Sequence, residues 1–133
     1  MSDETRYNPY TKQFFSDEIY RYLENLPPEF KDSLVNIEFL VEDLPPDGLK
    51  TGNPGIGSST LGLYSGVPLP SKSIFQKYSL PDIIYVFRLP VLNYHKKSKK
   101  SVSEIIQGVL RHEIAHYFGY SDSDLHSQQL YYP

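Results

Sequence analysis

The sequence predicts one small domain that mixes helices with strands, and three observations predict it. At 133 residues the chain is long enough for one ordinary domain and too short for two. Hydrophobic residues make up 39% and charged residues 22%, a composition that can bury a core and is unlike that of a disordered chain. Apolar residues recur at helical spacing near both ends of the chain and alternate in the middle.

Residues 1–12 read as a flexible N-terminal arm and 13–133 as the single domain. Phe15, Ile19, Tyr22, Leu23 and Leu26 predict a helix over about 14–26, with a soft start because Ser16 and Ile19 make no capping box. Pro27-Pro28 ends it, since neither residue can continue the hydrogen-bond ladder. Val35, Ile37, Phe39 and Val41 alternate through residues 34–42, the pattern of a half-buried strand. Residues 43–60 are punctuated by Pro45-Pro46-Asp47-Gly48 and Gly52-Asn53-Pro54-Gly55; the glycines match no phosphate-binding pattern, so the segment reads as a flexible loop. Thr60 to Tyr64 reads as a short strand. Asp82 to Arg88, bounded by Pro81 and Pro90, reads as a buried or edge strand. The basic run from His95 to Ser101 reads as a solvated loop, with a patch for an acidic partner as the alternative. Ser101-Val102-Ser103-Glu104 is a capping box that opens a helix to about Phe118, and Gly119 suits its left-handed C-terminal cap. Ser121 or Asp122 can cap a last short helix through Leu125 and Leu130.

Composition excludes several kinds of chemistry. With no cysteine there is no disulfide scaffold, thiol nucleophile or cysteine-ligated zinc, so any metal must sit on His, Asp and Glu. A net charge of −3 argues against a nucleic-acid partner. No apolar run approaches the roughly 20 residues of a membrane span. The polar start and the lack of an N-x-[ST] sequon favour a cytoplasmic protein.

The informative stretch runs from His112 to Asp122 and reads H-E-x-x-H-x-x-G-x-x-D. With Ile105 at 0° and about 100° per residue, Val109 falls at about 40°, His112 at about −20° and His116 at about 20°. The two imidazoles extend the apolar stripe of Ile105 and Val109 and, one turn apart, can point at one metal ion. Glu113, near 80°, flanks the pair, where its carboxylate can bond a metal-held water without displacing an imidazole. Ile106, Leu110 and Tyr117 fall between about 100° and 140° and supply the packing face. Shuffling this composition reproduces the full pattern about once in fifty thousand trials, so chance is a poor account of it.

A catalytic zinc takes three protein ligands and a water. Glu113 is the last glutamate, which leaves Asp122, Asp124 and His126 downstream. A glycine three residues past the second histidine lets the backbone reverse, so the residue three further on can swing back under the metal. That residue is Asp122, for which helix capping is the alternative role. Asp124 and His126 lie past the turn. None of the twelve tyrosines is singled out as an oxyanion stabiliser.

This motif resembles the bacterial zincin-like minimal metallopeptidases. The resemblance rests on His112 to Asp122, continuing as Ser123-Asp124-Leu125, on Leu61-Gly62-Leu63-Tyr64-Ser65-Gly66-Val67-Pro68, on Pro81-Asp82-Ile83-Ile84-Tyr85 and on Leu26-Pro27, and it spans most of residues 14–126. It implies a zincin-like α+β fold in which an active-site helix packs on a small mixed sheet and a short helix closes the chain. It also implies Zn2+ held by His112, His116 and Asp122, with a peptide or protein as substrate. The spacing is similar to that of metzincins and aspzincins; an aspartate third ligand and the lack of a following methionine separate it from the metzincins. Aspartate lowers the net charge on the metal, which makes a bound water less acidic and implies weaker activity. On this reading zinc polarises a water and the scissile carbonyl, and Glu113 moves the proton from water to the leaving amine. The backbone of Asp82 to Arg88, if at an edge, would hold an extended peptide, and the 48–60 loop would border the cleft.

Two other function classes stay open. The pattern H-x-x-x-H-x-x-G-Y-x-D/H also resembles the metal-dependent endoribonucleases of ribosomal RNA maturation, with Tyr120 after Gly119 in place. Those carry a small residue where Glu113 stands, and a third histidine. The run Lys96 to Lys100 favours an RNA partner and the acidic net charge opposes one. A zinc-stabilised binding module without turnover is the third class.

Overall fold

The computed structural model describes residues 8–50, 55–73, 80–121, 123 and 124. Helix α1 (Lys12–Glu24) starts where Thr11 Oγ1 accepts from the Phe14 N–H at 3.1 Å. Thr11 and Lys12, which composition assigns to the arm, are this helix's cap and first residue. The Tyr10 carbonyl accepts from Arg88 Nε at 2.7 Å, which ties the entry to the body of the domain. The proline pair stops α1 as expected. Pro28 then opens a one-turn helix α2 (Pro28–Lys31), at a position where its missing N–H has no partner to lose.

Three strands form the sheet among the described residues. Strand β1 (Ile37–Glu42) runs parallel to β3 (Asp82–Phe87), with Phe39 opposite Ile84. Strand β2 (Gly62–Ser65) runs antiparallel to β3, with Tyr64 opposite Ile84, so the order is β1-β3-β2. Asp82–Phe87 is therefore the central strand, and Ile84, Val86 and Phe87 are fully buried. Both of its ladders are taken, so it cannot receive a peptide by strand addition as the edge reading would require. Its apolar residues run on without strict alternation, the mark of a strand covered on both faces. The connection from β1 to β3 carries a one-turn helix α3 (Asp47–Lys50), β2 and a 3-10 turn at Leu69–Ser71.

Helix α4 (Arg88–Lys97) follows β3 without a loop. The sequence reading of Pro90 as a boundary and of 95–101 as a loop is corrected here. Pro90 is the third residue of α4, where no helical carbonyl four residues back awaits an N–H, so it breaks nothing. His95, Lys96 and Lys97 form the last turn, where cations face the open carbonyl end.

Helix α5 (Val102–Tyr117) opens on the expected cap. Ser101 Oγ accepts from the Glu104 N–H at 3.1 Å and donates to Glu104 Oε1 at 3.2 Å. The helix packs against α1, α4, β2 and β3. Ile105, Ile106, Val109 and Leu110 are fully buried, each contributing roughly 1.5–3 kcal/mol. The α+β expectation, with the active-site helix on a small mixed sheet, holds. Of the expected closing helix, only Ser123 and Asp124 are described, both helical; Leu125 onward lies outside the described residues. Among the described residues no helix is long and apolar enough to cross a membrane.

Candidate metal centre

The apolar stripe of α5 ends in His112 and His116, as its periodicity predicts. His112 and Glu113 are each 3% exposed and His116 is half-buried. The two Nε2 atoms lie 3.2 Å apart. A tetrahedral ion about 2.0–2.1 Å from two imidazoles needs nitrogens about 3.3 Å apart, so the pair fits such an ion. Glu113 Oε2 lies 3.8 Å from His112 Nε2, and one ligand atom from each of the three residues falls within 4.8 Å of the others. Imidazole nitrogens beside a carboxylate, without sulfur, are donors that suit zinc.

The end of α5 sets the state of His116. Gly119 takes φ +101°, which allows the Tyr120 N–H to reach the Ala115 carbonyl at 3.0 Å and the Gly119 N–H to reach that of His116 at 2.9 Å. This is the Schellman closure of a helix. It also swings the Tyr120 carbonyl back to His116 Nδ1, 2.8 Å away. A carbonyl only accepts, so Nδ1 is the donor, the tautomer that presents the Nε2 lone pair to a metal.

Glu113 is held from the sheet. Its Oε1 accepts from the Tyr64 N–H of β2 at 2.8 Å, which leaves Oε2 on the histidine side. Close approach of β2 depends on Gly62. A Cβ there would lie 2.4 Å from Val109 Cγ1 and 2.8 Å from the Tyr85 carbonyl oxygen.

A family model described as zincin-like metallopeptidase matches residues 34–131, most of the chain. The chain belongs to the zincin-like metallopeptidase family. A comparison with curated proteins found no match. The family implies a metal, typically zinc, in agreement with the donor set at His112 and His116. The zincin-like match begins at Leu34, so α1 and α2 precede it.

The zincin-like centre opens into a cleft of about 820 Å³. Gly62, Leu63 and Tyr64 line it together with Gly119, Tyr120 and Ser121, and Gly55, Ser59 and Thr60 border it as expected of the glycine-rich loop. Asp122 lies outside the described residues, as does His126. Asp124 is engaged elsewhere: its Oδ2 accepts from the Ser121 N–H and Oγ, each at 2.9 Å, and its N–H donates to Ser121 Oγ at 3.2 Å. These bonds hold the Asp124 carboxyl below the usual carboxylate range. Ser121 and Asp124 thus make a reciprocal capping box.

Sequence reasoning missed the residues behind Glu113. Tyr64 Oη donates to Asp82 Oδ2 at 2.5 Å, and Lys72 Nζ lies 2.6 Å from the same oxygen. The Lys72 and Asp82 side chains are only 4% and 7% exposed. Burial first, then the bond to Asp82, pushes the Tyr64 phenol well above its ordinary value. The hint in the sequence is that Gly62, Tyr64 and Asp82 sit in segments that carry the resemblance; nothing in their spacing ties them to Glu113.

Proposed function

We propose that this protein is a zinc-dependent peptidase in which His112, His116 and Asp122 hold the metal and Glu113 is the general base. The observation that carries the proposal is the pair of Nε2 atoms 3.2 Å apart, one of them on a ring whose Nδ1 faces the Tyr120 carbonyl. Zinc held there would supply Lewis acidity, lowering the pKa of a water and polarising the scissile carbonyl. Glu113 Oε2 takes the proton of the attacking water and passes it to the amine nitrogen of the leaving strand. Oε1 stays on the Tyr64 N–H, so the carboxylate keeps one orientation through both transfers.

The substrate is a peptide or protein chain lying along β2. The Phe87 N–H donates to the Leu61 carbonyl at 2.9 Å, so by alternation Leu63 pairs with β3 and Gly62 and Tyr64 turn their backbone groups to the outer edge. The Tyr64 N–H there is taken by Glu113 Oε1, so an extended peptide would lie along this edge, beside the histidines, through groups other than that N–H. The role that the sequence reading gave to 82–88 thus moves one strand over, because among the described residues β3 is enclosed and β2 is an edge strand.

The test compares zinc-loaded wild type, Glu113→Gln and Asp122→Ala on a peptide library and on a structured RNA. The expected result is peptide cleavage by wild type, full zinc content without cleavage for Glu113→Gln, and reduced zinc content for Asp122→Ala. Cleavage by Glu113→Gln would remove Glu113 from the mechanism. Unchanged zinc in Asp122→Ala would return that residue to another role. RNA cleavage would favour the endoribonuclease class, and no turnover on either substrate a binding module.

A further inference from the structure

The contacts around Tyr64 join three parts of the chain that are distant in sequence. Its hydroxyl donates to Asp82 at the start of β3, and Lys72, beyond the 3-10 turn, shares that oxygen. Its ring meets the Tyr117 ring edge to face, with centroids 6.0 Å apart, and Lys72 Nζ lies 5.9 Å from the Tyr117 centroid. Tyr117 is on α5, one turn beyond Glu113, and its own hydroxyl donates to the Ser33 carbonyl at 2.9 Å. Gly66 lets the backbone lie against Asp82, since a Cβ there would come within 2.4–2.8 Å of the carboxylate.

Such a buried pair is a poor source of stability. The desolvation of two ions can exceed their mutual attraction, and apolar replacements of similar volume are often neutral or better. What the pair does here is hold the Tyr64 hydroxyl, and the Tyr64 backbone in turn holds Glu113 Oε1. We propose that Asp82 and Lys72 clamp Tyr64 as a positioning residue whose backbone N–H orients the Glu113 carboxylate. The clamp acts through Tyr64 and touches neither metal nor substrate. Its value lies in geometry, since a misplacement of about 1 Å in a reacting group can cost about a hundredfold in rate. The inference rests on the peptidase reading for its catalytic consequence and on the fold alone for the clamp itself.

The experiment uses the full chain with Tyr64→Phe, which removes only the hydroxyl and leaves Lys72 paired with Asp82. A second variant, Asp82→Leu with Lys72→Met, removes the acceptor and both charges together so that no buried ion is stranded. Amide hydrogen exchange is read in the metal-free protein; zinc content, kcat and KM are read in the loaded protein. The clamp predicts faster exchange of the residue 64 amide, by about tenfold or more, with Ile84 and Val86 unchanged. It also predicts full zinc content and a kcat lower by about ten- to a hundredfold. Unchanged exchange at residue 64 overturns the clamp, as does faster exchange spread evenly over the sheet. An unchanged kcat in a folded, zinc-loaded variant overturns its catalytic role. If wild type itself turns over no peptide, the peptidase reading fails, and the exchange result still decides the clamp.

Discussion

Replacing Gly119 by alanine tests whether one residue both ends the helix and prepares the metal site. At φ +101° an L side chain is strained, and the left-handed region costs a residue with a Cβ roughly 1–2 kcal/mol. The new Cβ would also lie 2.9 Å from Pro70 Cγ, part of a rigid ring. Crowding brings the total to about 2–3 kcal/mol. An unfolding entropy of about 2.1 cal/mol/K per residue puts the loss in melting temperature at about 7–11 °C for a chain of this length. If the backbone relaxes instead, the Tyr120 carbonyl leaves His116 Nδ1, and loss of such a supporting bond lowers metal affinity by about 10- to 100-fold. Calorimetry of the metal-free protein reads the first effect, and competitive titration against a chromophoric chelator reads the second. Gly57→Ala, where nothing lies within 4 Å of the new Cβ, is the control and should change neither. Wild-type melting and wild-type zinc affinity in Gly119→Ala together would refute the reasoning.

Three further predictions rest on other parts of the fold. Gly62→Ala drives a Cβ into Val109 and should cost about 1–3 kcal/mol, lowering kcat by pulling β2 off Glu113; adding Val109→Ala should restore part of the loss, and strict additivity of the two changes would argue against the contact. Ser101→Ala removes the α5 cap and should cost about 1 kcal/mol, read as a melting shift of about 3–4 °C, with zinc affinity unaltered. The Tyr64 and Tyr117 phenols are raised chiefly by burial, so the folded state keeps protons that the unfolded chain gives up near its ordinary value of about 10. Their stabilising contribution is complete below that pH and is lost as pH rises above it, so denaturant midpoints should fall in that range, and less steeply in Tyr64→Phe.

How much was legible in advance follows from the reach of each interaction. The boundaries of α5, the shared face of His112 and His116, the flanking position of Glu113 and the role of Gly119 all come from a fixed rotation of about 100° per residue and from caps within one turn. Thr11 was overlooked because the apolar pattern begins after it, and α4 because a proline in a first turn looks like a breaker when its position in the helix is unknown. The strand pattern of 82–88 showed burial but not order, since no local rule says which strand lies in the middle.

The sequence by itself therefore determined the helix that carries His112, Glu113 and His116 and the donor groups it presents, because those depend on neighbours three or four residues apart. Only the tertiary structure decided what surrounds them. Among the described residues it put β2 at an edge of the sheet, set the Tyr64 N–H on a carboxylate 49 residues away, and brought Lys72 to Asp82 in the interior. Contacts between distant residues arise from how the sheet and helices pack as a whole, and packing leaves no period in the sequence to read.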